Sequence, residues 1–246
     1  MINGKYLLID ADVIVYRCCW AAHPRRKNEE EVDLGFDHVR EFIDVTLDSI
    51  TGLSPESPGE LILSSSDSFR KALSTTKPYK GNREGQPKPL YFQEAKDYLV
   101  ERYGAKYSTE GREADDELGI RLARDPQGSV VVSIDKDLLQ ISGWHHNWVR
   151  NQSQWVSRKA GDFKLYTQLL TGDTTDNIPG LYGVGPAGAS ELLEGAQSSS
   201  DLCQRAWNAY KASGHSDPRG YFLEQANLVY IHRRENDSFQ APIELQ

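Results

Sequence analysis

Asp173 and Asp176 stand three residues apart and run into a glycine-rich stretch, Gly180-Leu-Tyr-Gly-Val-Gly-Pro-Ala-Gly188. Carboxylates are hard oxygen donors suited to a divalent cation. Glycines let the backbone turn tightly and leave its N–H groups open to a phosphate. Both chemistries in one short stretch point to a phosphodiester handled beside a metal. Pro186 suits the first turn of a helix, where its missing N–H costs nothing, so residues 187–193 read as that helix. Taken alone, the glycines fit an ordinary turn between two helices equally well. The acidic prefix favours the first reading.

Other acids recur where chemistry would want them. Asp10 follows the apolar run Tyr6-Leu-Leu-Ile9, and Asp67 follows Leu61-Ile-Leu63 after three serines. Asp135 and Asp137 follow Val130-Val-Val-Ser-Ile134, and Glu113, Asp115 and Asp116 open a helical pattern. Each group has an everyday use as a helix-dipole partner, a cap or a turn residue. All of them together would need several unrelated coincidences. Clustered carboxylates repel one another and need a cation to offset them. So many oxygen donors suggest two Mg²⁺ or Mn²⁺ ions about 4 Å apart, an arrangement that supports in-line displacement at phosphorus.

The elements that must position these acids are legible. The three apolar runs read as buried parallel strands. Helical patterns separate or follow them at residues 13–22, 36–50, 90–103 and 114–123. Alternating strand and helix predicts an α/β fold with a parallel sheet, and such sheets gather ligands outside the carboxyl ends of their strands. Asp10, Asp67 and Asp135 sit at three such ends. Residues 23–33 are charged and read as a mobile loop. Residues 74–89, rich in proline, glycine and basic side chains, read as a long functional loop. After about residue 170 the strands stop, and helices are expected at 187–193, 196–212 and 221–233. The division is therefore 1–170 for an α/β core and 171–246 for a helical subdomain.

The 246 residues suit one large domain or a domain with an appended subdomain. No run of eighteen apolar residues suggests a membrane span. The N-terminus enters a strand pattern without a signal-peptide layout. Three cysteines, Cys18, Cys19 and Cys203, form no disulfide framework; two are expected in helices and one exposed. They fit a reducing, cytoplasmic setting. The net charge of −8 argues against a nucleic-acid binder. Setting the nine candidate ligand acids aside leaves the remainder near neutral, however, and Arg70, Lys71, Lys77, Lys80, Arg83 and Lys88 cluster in one segment. The local field, not the net charge, steers a phosphate backbone.

These motifs, in this order, resemble the metal-dependent 5′-nucleases: phage 5′-exonucleases, flap endonucleases and the 5′-nuclease domain of bacterial DNA polymerase I. The resemblance is carried by Leu8-Ile-Asp-Ala11, Ser66-Asp-Ser-Phe-Arg70, Tyr79-Lys-Gly-Asn-Arg83, Glu113-Ala-Asp-Asp116, Ser133-Ile-Asp-Lys-Asp-Leu-Leu-Gln140 and Gly172-Asp-Thr-Thr-Asp-Asn-Ile-Pro-Gly180. It implies a PIN-like sheet, a helical arch at about 70–90 and a helix–three-turn–helix at about 172–195. Asp10, Asp67, Glu113, Asp115 and Asp116 would serve a first metal, and Asp135, Asp137, Asp173 and Asp176 a second. Lys80 and Arg83 would lie in the arch and contact the scissile phosphate, as catalytic residues. Tyr79 would stack on a base, with Arg70 and Lys71 also facing DNA. Gly183, Gly185 and Gly188, whose spacing is similar to a helix–hairpin–helix element, would grip duplex backbone, with a K⁺ held by backbone carbonyls. The partner would be DNA with a 5′ end, flap or nick, bound by a monomer in a bacterial or phage-infected cell.

The chain departs from the family pattern in places. Asp12 is an extra acid in the first motif, and Gln168 stands where some phage relatives carry lysine. His145 and His146, in a Trp-His-His-Asn-Trp pattern, are expected to alternate along an outer strand with no ligand role. His232-Arg-Arg234 reads as a solvated helix end.

Two rival readings use the same residues differently. A haloacid-dehalogenase-type phosphatase resembles the strand ending in Asp10-Ala-Asp12, but it leaves Glu113, Asp115, Asp135, Asp137 and the glycine hairpin without a use. A non-catalytic DNA-junction binder would keep the hairpin and the basic loop without needing full carboxylate sets.

Overall fold

The computed structural model describes residues 2–22, 25–27, 30–56 and 59–245. The chain opens with strand β1 (Tyr6–Asp10) and passes directly into helix α1 (Ala11–Ala22). A short antiparallel ribbon, β2 (Arg25–Lys27) and β3 (Glu30–Val32), occupies much of the segment expected as a loop. Residues 23, 24, 28 and 29 of that segment lie outside the described residues. Next come α2 (Gly35–Thr51), β4 (Gly59–Leu63), α3 (Arg70–Leu73), α4 (Phe92–Tyr103), β5 (Lys106–Tyr107), α5 (Ala114–Arg124) and β6 (Ser129–Val132). A 3-10 turn (Asp137–Gln140) leads to β7 (Gly143–Asn147) and β8 (Gln152–Val156). Four helices finish the chain: α6 (Arg158–Thr171), α7 (Pro186–Leu193), α8 (Ser199–Ala212) and α9 (Pro218–Val229).

The sheet runs β5-β4-β1-β6-β7-β8. All of its pairings are parallel except the last, β7 with β8. β1 sits between β4 and β6, so successive connections leave it on opposite sides and open a crevice at its carboxyl end. Both faces of β1 are covered. Leu7 and Ile9 pack with Ile14, Val15, Ile43 and Leu99 from the α1, α2 and α4 side. Leu8 points the other way and packs with Leu118 and Leu122 of α5. This period-two alternation with both faces buried explains why the strand reads as one apolar run.

The C-terminal helices build their own core around Tyr166, Trp207, Tyr210 and Phe222. That core also takes Leu165, Leu169 and Leu170 from α6. The expected boundary at residue 170 therefore cuts between helices that pack together. Other expectations also change. β7 is an interior strand, with His145 and His146 buried between neighbours, and β8 forms the edge. All three cysteines are buried and helical. His232 is not a solvated helix end: α9 stops at Val229, and the buried imidazole stacks on Phe69 with centroids 4.7 Å apart. Residues 74–91 form no helical arch; beyond α3 they carry only a 3-10 turn, Gly81–Arg83. Pro78, Pro87, Pro89, Gly81 and Gly85 explain this, since proline and glycine both disfavour a helix interior.

The loop that carries Asp173 and Asp176 is closed by two glycines in contact. Asp173 and Ile178 exchange backbone hydrogen bonds of 2.8 and 2.7 Å. Gly172 (φ +69°) and Gly180 (φ +63°) lie behind them, both in the left-handed region. A Cβ on Gly172 would fall 2.3 Å from the Ile178 carbonyl oxygen, and one on Gly180 would fall 2.2 Å from the Gly172 nitrogen. Gly172→Ala is therefore expected to lower unfolding free energy by about 1–3 kcal/mol or more, read by urea denaturation. Gly185→Ala, where a Cβ meets nothing within 4 Å, should shift the same curve much less.

Candidate active site

Three carboxylates converge at the carboxyl edge of the sheet. Asp10 ends β1, Asp135 follows β6 by three residues, and Asp115 lies in the first turn of α5. Burial and then the charge of Asp12 push the Asp10 carboxyl up to about 7, and Asp135 adds to the effect. Asp115 is pushed well above the ordinary range by burial, then by Asp135, Asp10 and Glu113. Asp135 is raised too, by burial and then by Asp137. Ser133 ties two of them together: its hydroxyl donates to Asp10 Oδ2 at 2.7 Å and accepts from the Asp135 N–H at 2.9 Å. Among the described residues, none of these three carboxylates forms an ion pair.

The remaining acids of the crevice are covered by donors. Tyr79 Oη donates to Glu113 Oε2 at 2.7 Å and lies 2.9 Å from Asp176 Oδ2. The Lys80 ammonium bonds Glu113 and sits 3.8 Å from Asp176 Oδ2. Arg83 Nη2 reaches Asp176 Oδ1 at 2.6 Å. Burial pushes the Glu113 carboxyl up, but Lys80 and Arg70 outweigh it and hold Glu113 below its ordinary value. At Asp176 burial prevails, and the carboxyl is raised despite Lys80 and Arg83.

The segment around Lys80 is docked by backbone as well. The Lys80 N–H donates to the Asp176 carbonyl at 2.9 Å, and Asn177 Nδ2 donates to the Pro78 carbonyl at 2.8 Å. Lys80 itself adopts φ +55°. One end of the segment is tied to α9. The Glu224 carboxylate accepts from the N–H and hydroxyl groups of both Thr75 and Thr76 at 2.7–2.8 Å.

Several sequence expectations are corrected here. Arg70 does not face DNA; the residue is 3% exposed. Its guanidinium forks onto Asp116 at 2.7 and 2.8 Å and also donates to the Leu228 and Tyr230 carbonyls at 3.0 and 2.7 Å. Asp116 is thereby committed to Arg70, and its remaining contacts are the His232 and Glu113 N–H groups. Tyr79 is buried with its hydroxyl on acids, so it presents no face for a base to stack on. The structure does not bring Asp67 into the cluster. Asp67 is exposed, and the Lys71 ammonium at 3.0 Å holds its carboxyl below the ordinary range. Asp12 lies closer to the cluster, accepting from the Ser64 N–H at 2.8 Å and pairing with Lys96 at 3.3 Å.

His145 and His146 bond the Ile141 carbonyl and the Ser153 hydroxyl. Gly183 (φ +80°) turns the chain towards α7, with Gly185 as N-cap and Gly188 inside the helix. Tyr182 is fully exposed beside it. Sequence reasoning missed Lys164, whose ammonium lies 2.9 Å from Asp137 Oδ1. The signal was available, because Lys164 lies one helical turn before Gln168.

Among the described residues, no three His, Cys, Asp or Glu side chains, Asp10, Asp115 and Asp135 included, stand close enough together to form a ready-made metal cage. The donor chemistry nonetheless fits a hard divalent ion. Asp10, Asp115 and Asp135 are oxygen donors whose repulsion and burial a cation would relieve.

Parallel strands that deliver carboxylates to one crevice define a PIN-like α/β fold. The family described as "5′-3′ exonuclease, N-terminal resolvase-like domain" matches residues 5–165, and the chain belongs to that family. Among curated relatives, a DNA polymerase I of Rhizobium leguminosarum is 27% identical over 84% of this chain and 22% of its own length. A flap endonuclease Xni of Shewanella baltica is 32% identical over 52% of this chain and 53% of its own. A 5′-3′ exonuclease of Buchnera aphidicola is 29% identical over 76% and 69%. The chain thus spans about a fifth of the polymerase relative and about half of the Xni relative. In fold it is similar to the bacteriophage T5 D15 protein, crystallised with metal ions (TM-score 0.64, 14% identity, 92% of this chain and 88% of that one). It is also similar to flap endonuclease-1 from Methanococcus jannaschii (TM-score 0.60, 12% identity, 96% and 81%).

The Arg70–Asp116 pair yields a stability prediction. Removing one partner of a buried ion pair strands the other charge, at a cost of about 3–5 kcal/mol. Arg70→Met is expected to lose that much in urea unfolding. The double variant Arg70→Met/Asp116→Leu should recover a large part of it.

Proposed function

We propose that this chain is a divalent-metal-dependent 5′-nuclease that hydrolyses DNA phosphodiesters at 5′ ends or 5′ flaps. The observation that carries the reading is the convergence of Asp10, Asp115 and Asp135 at the carboxyl edge of the sheet, in a chain of the 5′-3′ exonuclease family. Asp10, Asp115 and Asp135, with Glu113, Asp137, Asp173 and Asp176 around them, would hold two Mg²⁺ or Mn²⁺ ions. Such ions ready a water for in-line attack and stabilise charge on the leaving oxygen.

The chain's own residues have separate roles. Lys80 and Arg83, paired with Glu113 and Asp176, would transfer to an incoming phosphate. Tyr79 keeps Glu113 and Asp176 oriented through its hydroxyl. The exposed turn at Gly183 and Gly185 would receive duplex backbone, and a K⁺ on its carbonyls would aid it. Residues 171–246, joined by α6, would act as the DNA-binding subdomain of a monomer. Three free buried thiols support a cytoplasmic setting. Among the described residues, no helix is long and apolar enough to cross a membrane. The phosphatase reading calls for a strand before Asp173, and α6 stands there instead.

The test uses 5′-labelled flap, nicked and blunt duplexes with Mg²⁺, with product lengths resolved. Asp10→Ala and Asp135→Ala are each expected to slow cleavage by about a hundredfold or more while substrate binding stays measurable. Near-normal turnover in both would overturn the metal assignment. Flap binding without cleavage by the unmodified chain would favour a junction binder.

A further inference from the structure

Two buried amides stand directly behind Asp137 and Asp173. Gln140 and Gln168 are 1% and 6% exposed. Gln140 Nε2 donates to the Val229 carbonyl and to Gln168 Oε1, both at 2.8 Å. Gln168 Nε2 donates to Asp137 Oδ2 at 2.7 Å and lies 3.4 Å from Asp173 Oδ2. The direction of this chain of bonds is fixed at both ends. A backbone carbonyl and ionised carboxylates only accept, so neither amide can turn over without setting acceptor against acceptor.

The pair joins three separate parts of the fold: the 3-10 turn that carries Asp137, helix α6, and the last residue of α9. Close packing makes this possible, since a Cβ on Gly161 of α6 would fall 2.4 Å from the Gln140 carbonyl oxygen. One turn before Gln168, Lys164 takes the other oxygen of Asp137 at 2.9 Å. Asp173 Oδ1 is held separately by the Thr175 and Asp176 N–H groups at 2.7 and 3.2 Å. Each carboxylate oxygen still has lone-pair capacity. Gln140 Oε1 is buried without a partner among the described residues, which is an unusual thing to keep if the amides served packing alone.

We infer that Gln140 and Gln168 are a positioning pair that presents Asp137 and Asp173 together to a divalent cation. Lys164 fixes the second oxygen of Asp137. The inference rests on the metal-dependent reading above. A neutral amide suits this role because it orients the carboxylates without adding to the positive charge that Lys164 already sets against Asp137. Outer partners of this kind orient ligands and tune affinity.

The experiment is Mn²⁺ titration by calorimetry on the full chain, with melting curves run in parallel. Gln168→Leu is expected to weaken Mn²⁺ binding by about tenfold, and Gln140→Leu by a similar factor. The double variant should be no worse than either single, because the two act as one unit. Gln168→Asn keeps the amide but withdraws it by one methylene; it should weaken Mn²⁺ binding while melting near the unmodified chain. Isotherms that overlay the unmodified chain in all four variants would reduce the pair to packing and overturn the inference. An unmodified chain that takes up no Mn²⁺ would fail differently, sinking the metal-dependent reading and this inference with it.

Discussion

Mutual repulsion among carboxylates gathered at one sheet edge is the constraint around which this molecule is arranged. A parallel sheet points its strand ends at one crevice, and this sequence puts an acid at two of them. The structure then treats its acids in two ways. Asp10, Asp115 and Asp135 combine burial with repulsion from neighbouring acids and have no ion-pair partner among the described residues, and their proton affinities rise. Glu113, Asp137 and Asp176 are covered by Tyr79, Lys80, Arg83 and Lys164. The first group is left buried with raised proton affinity, and the second takes a counter-charge from the chain.

Close backbone contacts make the crevice possible. Gly172 and Gly180 close the loop of Asp173 and Asp176 where any side chain would collide. Gly161 lets α6 approach the turn that carries Asp137. Arg70 binds the N-terminal end of α5 to the end of α9, through Asp116 and two backbone carbonyls. None of these groups is chemical equipment for a substrate, yet each sets where such equipment stands.

The architecture was largely legible because buried parallel strands and amphipathic helices leave strong periodic signals. β1, β4, β6, α1, α2, α5 and the C-terminal helices all stand close to where the pattern puts them. Asp10, Glu113, Asp115, Asp135, Asp137, Asp173 and Asp176 were likewise readable as candidate ligands, a role that stands as a proposal. What misled was charge. Arg70 sits in a basic run and looks like a surface cation, but its partner Asp116 lies 46 residues away, and adjacency in sequence says nothing about such a pair. Tyr79 misled similarly, since an aromatic in a basic loop looks like a stacking platform until its hydroxyl finds two acids. Asp67 lost to its neighbour Lys71 four residues on, a local pairing that the sequence did contain. The strand of His145 and His146 was read as an outer one because β8, which covers its far side, is the polar run Gln-Ser-Gln-Trp-Val with no apolar signature.

The four-bond grip of Glu224 on Thr75 and Thr76 has a consequence for the loop above the acids. Lys80 is the fourth residue after Thr76, and four fully extended residues span at most about 14 Å. While the grip holds, the Lys80 backbone stays on a short leash anchored to α9. A tethered group behaves as though it were present at high local concentration. When an anionic ligand competes for Glu113's cation, the ammonium is displaced but never diluted. The loop thus works less like a gate than like a captive counter-ion, always within reach of the acids that lend it out.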